Sequence, residues 1–340
     1  MKKFLSIALA LLMVCVMLPI VALADDFDTA LPAATEGTIK LTKNVKLSST
    51  AVVTDSVTID LNGLEIINGD GLKGYLLDIK GVVTITNGTI KDSRTNPTGT
   101  ITSIRNLGTL TLTDMTISRG EGGIAVKNDE NGVGNGGTLV VNNSTITGSG
   151  ARGQAIQNWG TATINSGTFD GQVNAWASAD WNAGKTIING GTFNGDVQSL
   201  QWKRTDKDWP TGVADTEING GTFNGAVAIC YRTGEQLTEA TPKPENIAEG
   251  TIAVTGGTFT NVETQKDIKG FIPEGKTINS NGTVVDKTIT IIVPGDTTPA
   301  ETPKTDDQKN PSTGANDFVG LAAAAAVVAL LGSAVVLRKK

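Results

Sequence analysis

Between residues 61 and 284 one short phrase of apolar and polar positions recurs: an aliphatic residue, Asn or Thr, two turn formers, Thr, then Ile or Phe. An early copy is Ile85-Thr86-Asn87-Gly88-Thr89-Ile90, and the clearest are Ile188-Asn189-Gly190-Gly191-Thr192-Phe193 and Ile218-Asn219-Gly220-Gly221-Thr222-Phe223. The closing residues are Ile66, Ile90, Ile117, Ile146, Phe169, Phe193, Phe223, Phe259 and a degenerate Val284, at intervals of 24, 27, 29, 23, 24, 30, 36 and 25. A floor of 23–25 residues fits one turn of a solenoid built from short strands, with insertions lengthening some turns. A sandwich also uses short strands, but it does not repeat one phrase at this period.

The position five before each closing Ile or Phe is always aliphatic: Leu61, Ile85, Leu112, Val141, Ile164, Ile188, Ile218 and Val254. Stacked coil on coil, these make one apolar column and the closing Ile and Phe residues a second. Asn-Gly and Gly-Gly between them supply the positive-φ residues of a tight corner. Asn62, Asn142, Asn165, Asn189 and Asn219 share one corner slot and are placed to stack amide on amide. The expected fold is all-β, a right-handed parallel β-helix of about nine coils and roughly 40 Å in length. Residues 36–47 are expected to cap its start, and the Thr/Ile run 287–293 to close its end.

The two ends read as addresses. Met1-Lys2-Lys3, an apolar run to about Leu18 and Ala22-Leu23-Ala24 form a signal peptide, cleaved after residue 24. Residues 318–337 are apolar and long enough to span a bilayer, and Arg338-Lys339-Lys340 follows as a cytoplasmic stop. The expected organisation is therefore a signal helix over 1–24, the β-helix over 25–293, a Pro/Thr-rich tether over 294–309, a motif over 310–314, and a membrane helix with basic tail over 315–340.

Asn310-Pro311-Ser312-Thr313-Gly314, the apolar span and the basic tail together resemble the cell-wall sorting signal of Gram-positive surface proteins. The resemblance covers about the last 31 residues. It implies that a sortase cleaves Thr313–Gly314 and joins Thr313 to peptidoglycan, so that the membrane is only a transient anchor. Asn310 stands where Leu is commonest, which leaves the sortase class open. Residues 36–293, opening with Gly37-Thr-Ile-Lys-Leu41 and Val57-Thr-Ile-Asp-Leu-Asn-Gly63, resemble the pectin-lyase-like superfamily in fold. No active-site motif of that family accompanies the likeness.

Composition narrows the chemistry further. Of 340 residues 47 are Thr, 41 Gly and 25 Asn, while aromatics make only 4%, a balance suited to short strands and tight turns. After processing, 23 basic against 33 acidic residues leave a charge of −10, which argues against nucleic acid. The chain has no histidine, so His-dependent nucleophiles and His-ligated metals are excluded. Cys230 is the one cysteine beyond the signal peptide, so no internal disulfide forms. Asp60, Asp92 and Asp114 recur in neighbouring coils at differing offsets and are not expected to converge. A polysaccharide lyase or glycosidase using carboxylates on adjacent coils is the alternative function; no catalytic residue, metal ligand or cofactor is assigned.

All five Trp fall between residues 159 and 209. Counting Val173, Val197 and Val227 as inward, Trp176 and Trp202 lie at odd offsets and point outward. With Lys203, Arg204 and Arg232 they are the expected ligand platform, able to stack sugar rings. Tyr231 falls on the other parity unless a bulge intervenes. The competing expectation is that the insertions fold their Trp down as local packing. The expected function is non-enzymatic: an adhesin-like protein, anchored in the cell wall, that presents a β-helix face to a glycan or protein ligand.

Overall fold

The computed structural model describes residues 27–95, 101–129, 136–150, 153–234, 245 and 249–288. These belong to the first of two units into which the chain divides at Thr288. The signal segment, the tether, the pentapeptide, the apolar span and residues 289–293 lie outside the described residues. Among those described, no helix is long and apolar enough to cross a membrane.

Short strands with aliphatic residues at alternate positions and Thr or Asn between them wind into a right-handed parallel β-solenoid. One coil runs Lys185–Ile188, Thr192–Phe193 and Val197–Lys203, and like strands of successive coils pair in parallel. The described residues supply nine strands to the first stack, nine to the second and eight to the third. The first column runs Ile39, Ile59, Ile85, Leu112, Val141, Ile164, Ile188, Ile218, Val254. The second runs Val45, Ile66, Ile90, Ile117, Ile146, Phe169, Phe193, Phe223, Phe259. The third stack contributes Leu77, Ile104, Val126, Ile156, Val173, Val197 and Val227. All three columns meet in one buried core. The Phe rings stack face to face, with centroids 4.8, 4.9 and 4.8 Å apart and planes within 11°.

The register corrects several expectations. In the earliest phrase it is Ile59, not Leu61, that stands beneath Ile85, because this corner has two extra residues before Ile66. Asn62 leaves the ladder accordingly, and its side-chain amide donates to Leu41 O at 3.3 Å. The other four form it: Asn165 donates to Asn142, Asn189 to Asn165 and Asn219 to Asn189 at 2.9, 2.9 and 3.1 Å. Thr255 closes this ladder with a 2.8 Å bond to Asn219. Residues 38–47 are not a cap but the first two strands of a coil. The chain before them covers that end, with Asp28 bridged to Val45 and Leu31 packed on the core. Val284 is not a ninth coil, since Thr258 and Thr283 meet in an antiparallel bridge. The far end is closed before residue 287, by the helix Val262–Asp267, the 3-10 turn Ile268–Phe271 and the hairpin of Lys276–Ile278 with Val284–Asp286.

The corner between the first two stacks takes two forms. In early coils the positive-φ residue is third in the phrase: Asn87 (60°), Asp114 (54°), Asn143 (43°). In later coils it is fourth: Gly167 (137°), Gly191 (110°), Gly221 (107°), Gly257 (99°). The change coincides with the switch from Ile to Phe. A Cβ on Gly191, Gly221 or Gly257 would stand 3.3, 3.4 or 3.1 Å from the Phe ring of the preceding coil. In the early form the fourth position takes Gly88, Met115 and Ser144, and the Met115 side chain is buried in the core.

Candidate ligand-binding face

Strands Gln172–Ser178, Val197–Lys203 and Val227–Thr233 have seven residues each, two more than Ile124–Asn128 and Gln154–Asn158 before them in the same stack. Val173, Val197 and Val227 point into the core, so residues three further on point out. The register places Trp176, Leu200 and Cys230 in one outer column, with Trp202 between Ser178 and Arg232 two positions along. Trp159 follows Asn158, which pairs with Ala175 of the next coil, so it stands beside Trp176.

These residues form an apolar cluster separate from the solenoid core: Trp159, Trp176, Leu200 and Trp202, with Trp181 and Cys230 packed against it. Ring centroids are 5.3 Å apart for Trp159 and Trp176, 5.7 Å for Trp176 and Trp202, and 4.7 Å, edge-on, for Trp159 and Trp181. Trp181 is brought in by a tight return after the strand, where Ser178 and Trp181 bridge antiparallel. The return is held by the Gly184 N–H donating to Trp176 O at 2.8 Å.

The outward direction of Trp176 and Trp202 holds, but their expected exposure does not. Trp176 is 1% and Trp202 7% exposed, because the chain beyond each long strand folds back over the outer face. Trp202 Nε1 donates to Gly234 O at 2.8 Å. Burying three large rings removes more apolar surface from water than an open platform does, and the insertions have little else to bury. Lys203, Arg204 and Arg232 are half-buried at the margin. Tyr231 needs no bulge: it sits in unbroken register with Gln201 and Ala177, on the other side of strands that overrun the core. That side is covered by Ala214 and Ala183, and Tyr231 meets Trp209 edge-on at 6.3 Å.

The half-buried Trp181 carries the polar rim. The Lys127 ammonium and the Arg204 guanidinium each lie 5.3 Å from its ring centroid, within cation–π range. Arg204 is also 5.6 Å from Trp202. Lys127 pairs with Asp129 at 3.0 Å and Arg204 with Asp180 at 3.5 Å, which fixes both cations beside the ring. Within the cluster Trp159 Nε1, Trp176 Nε1, Asn174 Oδ1 and Ser178 Oγ are buried without a hydrogen-bond partner. Trp181 and Lys127 were missed by sequence reasoning. Trp181 lies within the Trp-rich stretch but outside the strand parity, and Lys127 comes from two coils away. Cys230 is half-buried against the rings, and burial pushes its thiol above the usual range, which favours the neutral form.

The recurring carboxylates are engaged separately. Asp60 accepts from Asn62 N–H and Asn87 Nδ2 at 2.8 and 3.2 Å, and Asp114 accepts from Asn143 Nδ2 at 2.6 Å. Asp92 is buried, and binds Arg94 at 2.6 Å, Ser103 Oγ at 2.9 Å and Arg119 at 3.5 Å. Among the described residues no three His, Cys, Asp or Glu side chains gather as a metal site. Comparison with protein-family models, with curated proteins and with solved structures gave no match for this chain, which leaves the function to be argued from its own residues.

Proposed function

We propose that this chain is a secreted, non-enzymatic surface protein of a Gram-positive bacterium, joined to peptidoglycan through Thr313 by a sortase. In this reading its β-solenoid presents the outer face of the third stack to a glycan or protein ligand, in an adhesin-like role. The observation that carries the ligand face is the aromatic cluster outside the core, whose half-buried Trp181 is flanked by Lys127 and Arg204. A solenoid core is complete without these rings. A π-face edged by two cations suits a sugar ring, an acidic sugar or an acidic side chain. The Trp176 and Trp202 of the expected platform become its support, and Trp181 its contact surface.

Two experiments test the proposal. On a glycan array and in pull-downs from host surfaces, Trp181→Ala should lower binding at least tenfold, while unchanged binding removes the face. In a sortase-positive host, Thr313→Ala should move the protein out of the covalent wall fraction, and a wall fraction that stays constant removes the anchor. Pectin and uronan substrates should remain uncleaved.

A further inference from the structure

The ends of the three stacks are treated differently. At the C-terminal end the third stack is covered by the helix Val262–Asp267, whose buried Thr264 donates its hydroxyl to Gly225 O at 3.2 Å. At the N-terminal end the second stack is met by Asp28, which donates to Asn44 O and accepts from Lys46 N–H at 2.9 and 2.8 Å. Among the described residues, the strand Ala51–Val53, which begins the third stack, pairs on one side only. Ala51 N–H donates to Leu76 O and Val53 O accepts from Lys80 N–H, at 3.0 and 2.8 Å. Alternation therefore turns the N–H and C=O of Val52 toward the open edge.

That edge borders a cavity of about 550 Å³ whose apolar side is formed by Leu31, Ala34, Ile39, Ala51, Val53 and Val57, with Thr54, Asp55 and Ser56 on its polar side. Val52 itself is 53% exposed, one of the few large apolar side chains left in water. An unpaired strand edge beside an apolar pocket is what receives an added strand, the edge bonding its backbone and the pocket taking its alternate side chains.

The chain contains a sequence with the alternation such a strand needs. Lys287-Thr288-Ile289-Thr290-Ile291-Ile292-Val293 puts aliphatic residues at 289, 291 and 293, all on one face if extended. It leaves the solenoid at the opposite end, where Lys287 N–H donates to Gly275 O at 2.8 Å. Eight coil steps of about 4.8 Å set the two ends roughly 40 Å apart. Five residues beyond Thr288 reach less than about 20 Å, so they cannot fill the groove of their own molecule. We propose that residues 289–293 of one molecule add as a strand to the Ala51–Val53 edge of the next, so that the solenoids assemble head to tail. The contact joins two different surfaces, and it propagates rather than closes.

Sedimentation velocity on the full chain in mild detergent tests this. The wild-type chain should form species larger than a monomer in a concentration-dependent manner. Val52→Asp, which charges the edge, and Ile291→Asp, which charges the added strand, should each be monomeric. Their equimolar mixture should stop at a dimer, because one variant keeps a working groove and the other a working strand. Val52 is half exposed and should leave the circular dichroism and melting temperature unchanged, and Ile291 lies outside the solenoid. A wild-type chain that stays monomeric, a variant that assembles like wild type, or a mixture without dimer overturns the proposal.

Discussion

Asp92 and Arg119 have side chains with no exposed surface, an unusual burden for an interior made chiefly of aliphatic and Phe residues. The arrangement holds because Asp92 is surrounded by donors: Arg94 through two bonds at 2.8 and 2.6 Å, and the Ser103 hydroxyl. Arg119 in turn donates to the carbonyls of Asp92 and Arg94. Burial pushes the Asp92 carboxyl up, but the Arg94 bond, the two guanidinium charges and the Ser103 bond outweigh it and hold it below its ordinary value. A carboxyl lowered in the folded state contributes stability that is complete above its unfolded value and is lost as pH falls through the folded one. Asp92→Ala should therefore cost about 3–5 kcal/mol in urea unfolding at pH 7, since it leaves a buried guanidinium without its counter-charge. Asp92→Asn should remove the part of the stability that the wild type loses below about pH 4. Asp92 was legible only as a recurring acidic residue; Arg94 lies just two residues on, but Arg119 comes from the next coil, where no local spacing announces it.

At the scale of an element, the corner and its ladders divide the work unequally. The Phe column is fully buried and each inner ring stacks on two others, so Phe193→Ala should cost about 3–5 kcal/mol in chemical denaturation. Asn189 sits on the exposed side of the same corner, where its ladder bonds compete with water, and Asn189→Ala should cost only about 0.5–1.5 kcal/mol. Equal effects would mean that the ladder, not the ring stack, sets the coil. A second, inner ladder escaped the sequence reading: Asn106 donates to Asn128 and Asn128 to Asn158 at 2.7 and 2.8 Å, all three buried. Its trace was present in Asn106-Leu-Gly-Thr109 and Asn158-Trp-Gly-Thr161, but seven residues inserted between Asp129 and Gly137 hide the middle copy. The corner phrase was legible because a tight turn restricts residue type. Its two backbone forms were not, because the crowding at the fourth position comes from the coil beneath, the Ser144 backbone at Gly167 and the Phe169 ring at Gly191.

For the whole molecule, each coil touches chiefly its neighbours, so damage should stay local. Ile268 belongs to the C-terminal cap and is fully buried in the main core. Ile268→Asp should remove amide hydrogen-exchange protection from the last two coils, including Val254 and Phe259, while strands around Ile85 and Leu112 keep theirs. Uniform loss along the solenoid would show one cooperative unit instead. The caps were the least legible large feature, since an end has no repeat to reveal it. The first coil, 38–53, lacks the corner phrase, and the closing helix and hairpin break the period altogether.

The repeat, the inward columns and the outer Asn ladder were determined by the sequence alone, because a side chain that must face the core or a tight corner is chosen again in every turn of the solenoid. Only the tertiary structure decided where coils begin and end, which guanidinium meets Asp92, and that Trp176 and Trp202 are covered and Trp181 is half-buried at the rim. Those outcomes depend on residues from insertions and neighbouring coils meeting in space, and a period along the chain carries no record of such meetings.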